Sequence, residues 1–217
     1  SVTKGAYRSY DNKAVWNSAS LKDLASIVPG SSGKAQLGFS VKNPLPIYKQ
    51  GDKDFSISVE AKIIGVGTSD EFENKQITDS LKKEIKIGSK LQAVGKTLHY
   101  SGALKNSGEI PPKVGKETTY TIVWSLANNA NDLADAKITA SLPPYASKEN
   151  LISPEGEDLR FDEKNATLVW NVGEVPAGTG IIMPAKEISF QVSFSPSLAQ
   201  VGETPILVNK ALVEARD

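Results

Sequence analysis

Apolar and polar residues alternate with a period of two along TTYTIVWSL (Thr118 to Leu126), DAKITASL (Asp135 to Leu142), ATLVWNV (Ala166 to Val172), EISFQVSF (Glu187 to Phe194) and FSISVEAKII (Phe55 to Ile64). This period puts alternate side chains on opposite faces of an extended chain, and the β-branched and aromatic residues in these runs favour strands. The runs are bounded by turn chemistry: NNAND, LPPY, SPEGED, VPAGTG, SPS and VGETP. There Gly supplies positive φ and Pro presets the turn. The pattern predicts an all-β chain built as antiparallel β-sandwich, with helix limited to single turns near Ser18 to Ala25 and in ITDSLKKEI.

The strand pattern is written more than once. YDNKAVWN (Tyr10 to Asn17) lies beside FDEKNATLVWN (Phe161 to Asn171), and PGSSGKAQLGFSV (Pro29 to Val41) beside PAGTG and AKEISFQV (Pro176 to Gly180, Ala185 to Val192). Leu37, Phe39 and Val41 fall against Ile188, Phe190 and Val192, Asn43-Pro44 against Ser195-Pro196, and Ala61 against Ala211. Ordered matches in one direction are the mark of a tandem array. The Trp-Asn pairs are 154 residues apart (170 − 16) and the closing acids 147 (217 − 70). Residues 1–79 then read as the second half of an upstream repeat plus a junction, and residues 80–217 as one complete repeat. The opening at Ser1, without an apolar signal-peptide centre, reads as a segment of a longer chain or a processed one. In this scheme Trp16, Trp124, Trp170, Phe39 and Phe190 are core residues between two sheets, and Asn17 and Asn171 bond at a strand exit.

PPKVGKETTYTIVW, SLPPYA, LVWNVGEVPAGTG, PAKEISFQVSFSPS and VGETPILVNKALVEA resemble the "conserved repeat" domain of unknown function eleven. The resemblance covers nearly all of 80–217 and, in its second half, 1–75. It implies immunoglobulin-like β-sandwich modules in tandem on bacterial envelope and cell-surface proteins, hence secretion, exposure at the cell surface, and a stalk-like or adhesive role. It supplies no catalytic residues. The charged closing strand (Glu214, Arg216) and the acidic stretch from Gly67 to Ser80 depart from the family's pattern.

Charge and composition narrow the partners. Lys plus Arg and Asp plus Glu number 25 each, so no basic field exists to hold nucleic acid or an anionic membrane. No apolar run reaches the roughly 20 residues of a membrane helix. The absence of Cys removes disulfides, thiol catalysis and thiolate metal sites. The expected partners are adjacent repeats or other copies of the chain, with a neighbouring cell surface or a glycan as the adhesive alternative.

Catalysis has little to build on. An enzyme would have to use the single histidine, His99, whose neighbours read as a strand. GSSGK (Gly30 to Lys34) lacks phosphate-loop spacing, and Ser31-x-x-Lys34 sits in a turn without a helix to present it. The expectation is a non-catalytic chain. Acidic clusters at Glu155 to Glu163, at Asp52 and Asp54, and at Asp70, Glu71 and Glu73 lack a complete set of the six to eight oxygens calcium takes. No cofactor is therefore expected; if calcium is held, Asp70, Glu71 and Glu73 at the junction are the candidates. A Lys-Asn crosslink would draw on Lys113 or Lys116 with Asn209, and a sugar platform on Tyr48, Tyr100 and Tyr145.

Overall fold

The structure, a computed structural model, describes residues 1–67 and 73–217, in two units, Ser1–Leu45 and Pro46–Asp217. In the first unit strands are short: β1 (Val2–Thr3), β2 (Ala6–Arg8), β3 (Lys13–Val15) and β4 (Gln36–Leu37). β1 pairs with β4, and β2 with β3 in a hairpin. The Gly- and Ser-rich run from Pro29 to Gly33 forms no strand, so no second sheet of any length faces the first. None of these residues is fully buried. Phe39, expected in a core, is 52% exposed, and this corrects the expectation: its match Phe190 has a facing sheet, whereas Phe39 lies outside any strand. Trp16 is half-buried, its Nε1 donating to the carbonyl of Thr3 at 2.9 Å. The expected helical turn near Ser18 to Ala25 is a 3-10 turn, Lys22–Leu24.

The second unit begins with a ribbon. β5 (Ser56–Val66) and β6 (Gln76–Lys86) pair antiparallel over all 11 residues of each, from Ser56↔Lys86 to Val66↔Gln76. ITDSLKKEI is therefore strand, not a helical turn: Ile77, Leu81 and Ile85, four apart, fit either period, and pairing with β5 decides. The division expected at 79/80 falls inside β6.

The rest is a sandwich. β7 (Leu91–Leu98), β8 (Thr118–Asn128), β10 (Ala146–Ser153) and β13 (Lys186–Phe194) form one sheet in the order β10-β13-β8-β7. β9 (Leu133–Ser141), β11 (Asp158–Asp162), β12 (Thr167–Val175) and β14 (Leu212–Arg216) form the other, in the order β11-β12-β9-β14. All neighbours are antiparallel. The chain crosses between sheets from β8 to β9 and from β12 to β13, which locks the four central strands around one core. The alternating runs deliver that core: Ile122, Trp124 and Leu126 from β8, Ile138 from β9, Leu168 and Trp170 from β12, and Ile188, Phe190 and Val192 from β13. Each such side chain removed from water contributes about 1.5–3 kcal/mol. Trp124 meets Phe190 edge to face at a centroid distance of 4.9 Å. The chain is thus all-β, and its second unit has immunoglobulin-like antiparallel sandwich architecture.

Candidate functional site

Three features of the second unit adjoin the core: a polar clasp, an open groove and the ribbon. The clasp grows from the NNAND turn between β8 and β9. Asn128 is buried, and its Nδ2 donates to the carbonyls of Asn131 (2.6 Å), Val175 (2.9 Å) and Pro176 (3.2 Å), tying this turn to the end of β12. Asn131 reaches the other way. Its Nδ2 donates to the Ile87 carbonyl (3.1 Å) and to Asp217 Oδ1 (2.9 Å), while its Oδ1 accepts from the Asp54 amide (3.0 Å). Asp217 Oδ2 accepts from the Ser89 amide at 2.7 Å, and Asn129 Oδ1 from the Lys90 amide at 2.6 Å. Lys53 Nζ donates to Asp132 Oδ2 at 2.5 Å, and Asp132 Oδ1 accepts from the Ala177 amide. The clasp thereby fixes both ends of the ribbon, at Lys53 and Asp54 and at Ile87 to Lys90, to the sandwich.

Its charges are tuned by these bonds. The Lys53 hydrogen bond and the Ala177 amide hold the Asp132 carboxyl below the ordinary range, and the bond to Asp132 raises Lys53. The Ser89 amide and then Asn131 hold Asp217 low. The donors are protein groups, with Lys53 as the cation, so the clasp has the chemistry of a structural joint. Among the described residues no group of three or more His, Cys, Asp or Glu side chains is placed to hold a metal. Of the expected junction acids, Glu73 is exposed in the turn between β5 and β6, while Asp70 and Glu71 lie outside the described residues.

On the side of the sandwich bounded by β7 and β14, a groove of about 1120 Å³ opens between the sheets. Leu91, Ile122, Trp124, Ile138, Leu207 and Val213 give it apolar walls. It exists because residues 199–211, which return the chain to β14, carry Gly202 and Pro205 and lie there without forming a strand. Asn209 anchors that return, its amide donating to the Ser141 carbonyl and its Nδ2 to Ser141 Oγ, both at 2.9 Å. Lys113 and Lys116 are exposed and pair with Glu109. A crosslink from either Lys to Asn209 therefore lacks a buried Lys, and Asn209 instead bridges Ser141.

The remaining candidates are placed as follows. His99 Nδ1 lies 3.0 Å from the Thr119 carbonyl, with its ring against Tyr100 and Tyr120. Burial pushes the Tyr120 phenol up. Ser31 Oγ donates to the Val28 carbonyl within its own turn. Asp52 Oδ2 accepts from the Tyr48 and Lys49 amides, a turn-closing role. Tyr48 and Tyr100 are more than four-fifths exposed, whereas Tyr145 packs on Phe194. In the cluster from Glu155 to Glu163, Glu157 accepts from Trp170 Nε1 at 2.8 Å. Asp158 accepts from Asn171 Nδ2 and pairs with Arg160. That explains the second Trp-Asn pair: both polar groups bind the acids leading into β11. In the first pair Asn17 Oδ1 instead accepts from the amides of Ala19 and Ser20 and closes a turn.

No family model matches the chain, and no curated protein matches it. Among solved structures, it is similar to the solution structure of the chitin-binding domain of a hyperthermophilic chitinase from Pyrococcus furiosus. That match has 13% identity and a TM-score of 0.29 over 59% of this chain and 88% of that one. A crystal structure of the chitin-binding domain of chitinase from Pyrococcus furiosus matches with the same identity and score over 58% and 95%. At that identity and score the likeness carries no statement about ligands. No helix among the described residues is long and apolar enough to cross a membrane.

Proposed function

We propose that the chain is a non-catalytic structural module of a bacterial surface protein, working at the cell exterior as a stalk or as a self-associating element of a fibre or surface layer. The exterior placement rests on the repeat pattern and its family resemblance. One observation supports self-association above the others: among the described residues the β5–β6 ribbon pairs with no third strand, and it exposes apolar side chains along one face, among them Ile63, Ile77 and Leu81, each at least half exposed. Two unpaired strand edges and an apolar face on about 36 Å of ribbon are a liability in a free monomer and an asset in an assembly. Sedimentation velocity over a wide concentration range tests the reading. Concentration-dependent oligomers are the expected result, and a single monomer boundary throughout would sink it.

A second reading, adhesion to a glycan, is favoured by Tyr48 and Tyr100, whose rings are largely in solvent at turns. Polysaccharide pull-down separates the two: retention that is lost in Tyr48→Ala and Tyr100→Ala would favour adhesion.

A further inference from the structure

One edge of the ribbon is complementary to itself. Among the described residues β6 is bonded to β5 alone, and it is exposed along its whole length. The Ile87 amide donates to the Phe55 carbonyl and the Gly67 amide to that of Lys75, so odd-numbered residues of β6 spend their main-chain groups on β5. The even-numbered ones, from Gln76 to Lys86, turn theirs to the free edge. Ser80 shows this phase: its amide donates to Asp79 Oδ1 at 2.8 Å rather than to a strand. Side chains alternate too, and the odd face runs Ile77, Asp79, Leu81, Lys83, Ile85. In reverse, that face is the same with its acid and base exchanged. Neither Asp79 nor Lys83 is in an ion pair among the described residues. Set antiparallel to a second copy about a two-fold axis at Leu81, the even residues meet as hydrogen-bonded pairs: Ser80 with Lys82, Thr78 with Glu84 and Gln76 with Lys86. The odd residues fall between them, where side chains stand closest. There Asp79 meets Lys83, Ile77 meets Ile85, and Leu81 meets its own copy. A slide of two residues one way sets Lys82 against its own copy and Asp79 against Ile85. The other way sets Asp79 against Leu81 and Lys83 against Ile77, so the charges select one register.

We infer that β6 of one copy adds to β6 of a second copy, antiparallel and two-fold about Leu81, joining two ribbons into one four-stranded sheet with β5 at each outer edge. Main-chain hydrogen bonds along the edge supply affinity, as in recognition by strand addition, and the two pairs of Asp79 with Lys83 set the register. On pairing, the Ser80 amide passes from Asp79 to the Lys82 carbonyl of the second copy, which frees the Asp79 carboxylate for Lys83. The contact is isologous and closes as a dimer. This inference rests on the self-associating reading and names its edge.

The test uses the full chain, altered only at exposed side chains of β6. In sedimentation velocity, wild type should form dimers as concentration rises. Asp79→Lys and Lys83→Asp, each alone, oppose like charges twice across the axis and should dimerise at least about tenfold more weakly. Mixed together, the two variants set acid against base at both positions and should recover dimers of wild-type strength, as should the double exchange Asp79→Lys/Lys83→Asp. Because the sequence holds no Cys, Leu81→Cys under mild oxidation should give a disulfide-linked dimer. Glu84→Cys, which the register sets roughly 20 Å from its own copy, should not. A wild type that stays monomeric at every concentration overturns both the self-associating reading and this pairing. A wild type that associates while the single exchanges associate equally well, or their mixture stays weak, or Leu81→Cys fails to link, overturns the pairing alone.

Discussion

Asn131 Nδ2 donates to Asp217 Oδ1 at 2.9 Å, joining the β8–β9 turn to the residue that follows β14. Asp217 is a charged acceptor, and with Asp132 it makes the clasp sensitive to acid. Both carboxyls are held low in the folded state, Asp217 by the Ser89 amide and Asn131, Asp132 by Lys53 and the Ala177 amide. A depressed folded-state value adds stability that is complete above the unfolded-state value of about 3.9 and is lost as pH falls through the folded values. The clasp should therefore loosen below about pH 4, ahead of the sandwich core. Hydrogen exchange at the Ser89 amide, followed from about pH 5 to pH 2.5, checks this. Protection that does not fall at the acid end counts against it.

Asn128 is the buried hinge of the same turn. Its Nδ2 satisfies the Val175 and Pro176 carbonyls together with that of Asn131, and no apolar side chain can replace that. Asn128→Leu removes this donor: the Pro176 carbonyl keeps Thr179 Oγ1 at 2.7 Å and the Asn131 carbonyl keeps Ser89 Oγ at 3.5 Å, so the cost centres on Val175, at about 1–3 kcal/mol for a buried group stranded from water. Urea denaturation should show a lower midpoint with an unchanged slope. An Asn128→Leu chain as stable as wild type would mean that water reaches the site.

Trp170 and Phe39 are both core residues in the repeat pattern, yet their substitution should differ sharply. Trp170 is fully buried between the sheets, so Trp170→Ala should destabilise the sandwich by about 3–5 kcal/mol. Phe39 is 52% exposed, and Phe39→Ala should fall within about 0.5 kcal/mol of wild type. Thermal unfolding by circular dichroism of the two variants decides. A large loss from Phe39→Ala would show that its ring is covered in solution.

What the sequence disclosed follows the range of the interactions. Period-two alternation is local, so β8, β9, β12 and β13 were legible, and with them Trp124, Trp170 and Phe190 as core residues. Trp16 and Phe39 carry the same letters, but burial depends on a second sheet, which alternation within a strand does not report. NNAND reads as a turn because its composition is local. Its role as a clasp depends on Ser89 and Asp217, which lie 42 and 86 residues from Asn131. The bond from Trp170 to Glu157 hid for a related reason, since an acidic loop looks the same whether its carboxylates face water or an indole N–H. The one signal available was the position of SPEGED immediately before the strand that pairs with the Trp-Asn strand. The ribbon was half legible: FSISVEAKII alternates cleanly, whereas ITDSLKKEI spaces its apolar residues to fit helix or strand.

The groove between β7 and β14 offers a gain in stability. Gly95 lies in β7 with ordinary backbone geometry, and a Cβ placed there would stand 3.7 Å from Trp124 Cδ1, in normal van der Waals contact with the groove wall. Gly in a strand interior costs about 0.5–1 kcal/mol in unfolded-state freedom and leaves packing unused. Gly95→Val supplies a β-branched residue to a strand and apolar surface to an open apolar groove, and its Cβ displaces no neighbour. The variant should be more stable by about 1 kcal/mol, read as a higher urea midpoint. Gly180→Ala is the contrasting case: its φ is +76° and its Cβ would come within 2.6 Å of the Ala127 Cβ, so it should destabilise by a similar or larger amount. If Gly95→Val instead lowers the midpoint, the groove is closed in solution and Trp124 has no room to spare.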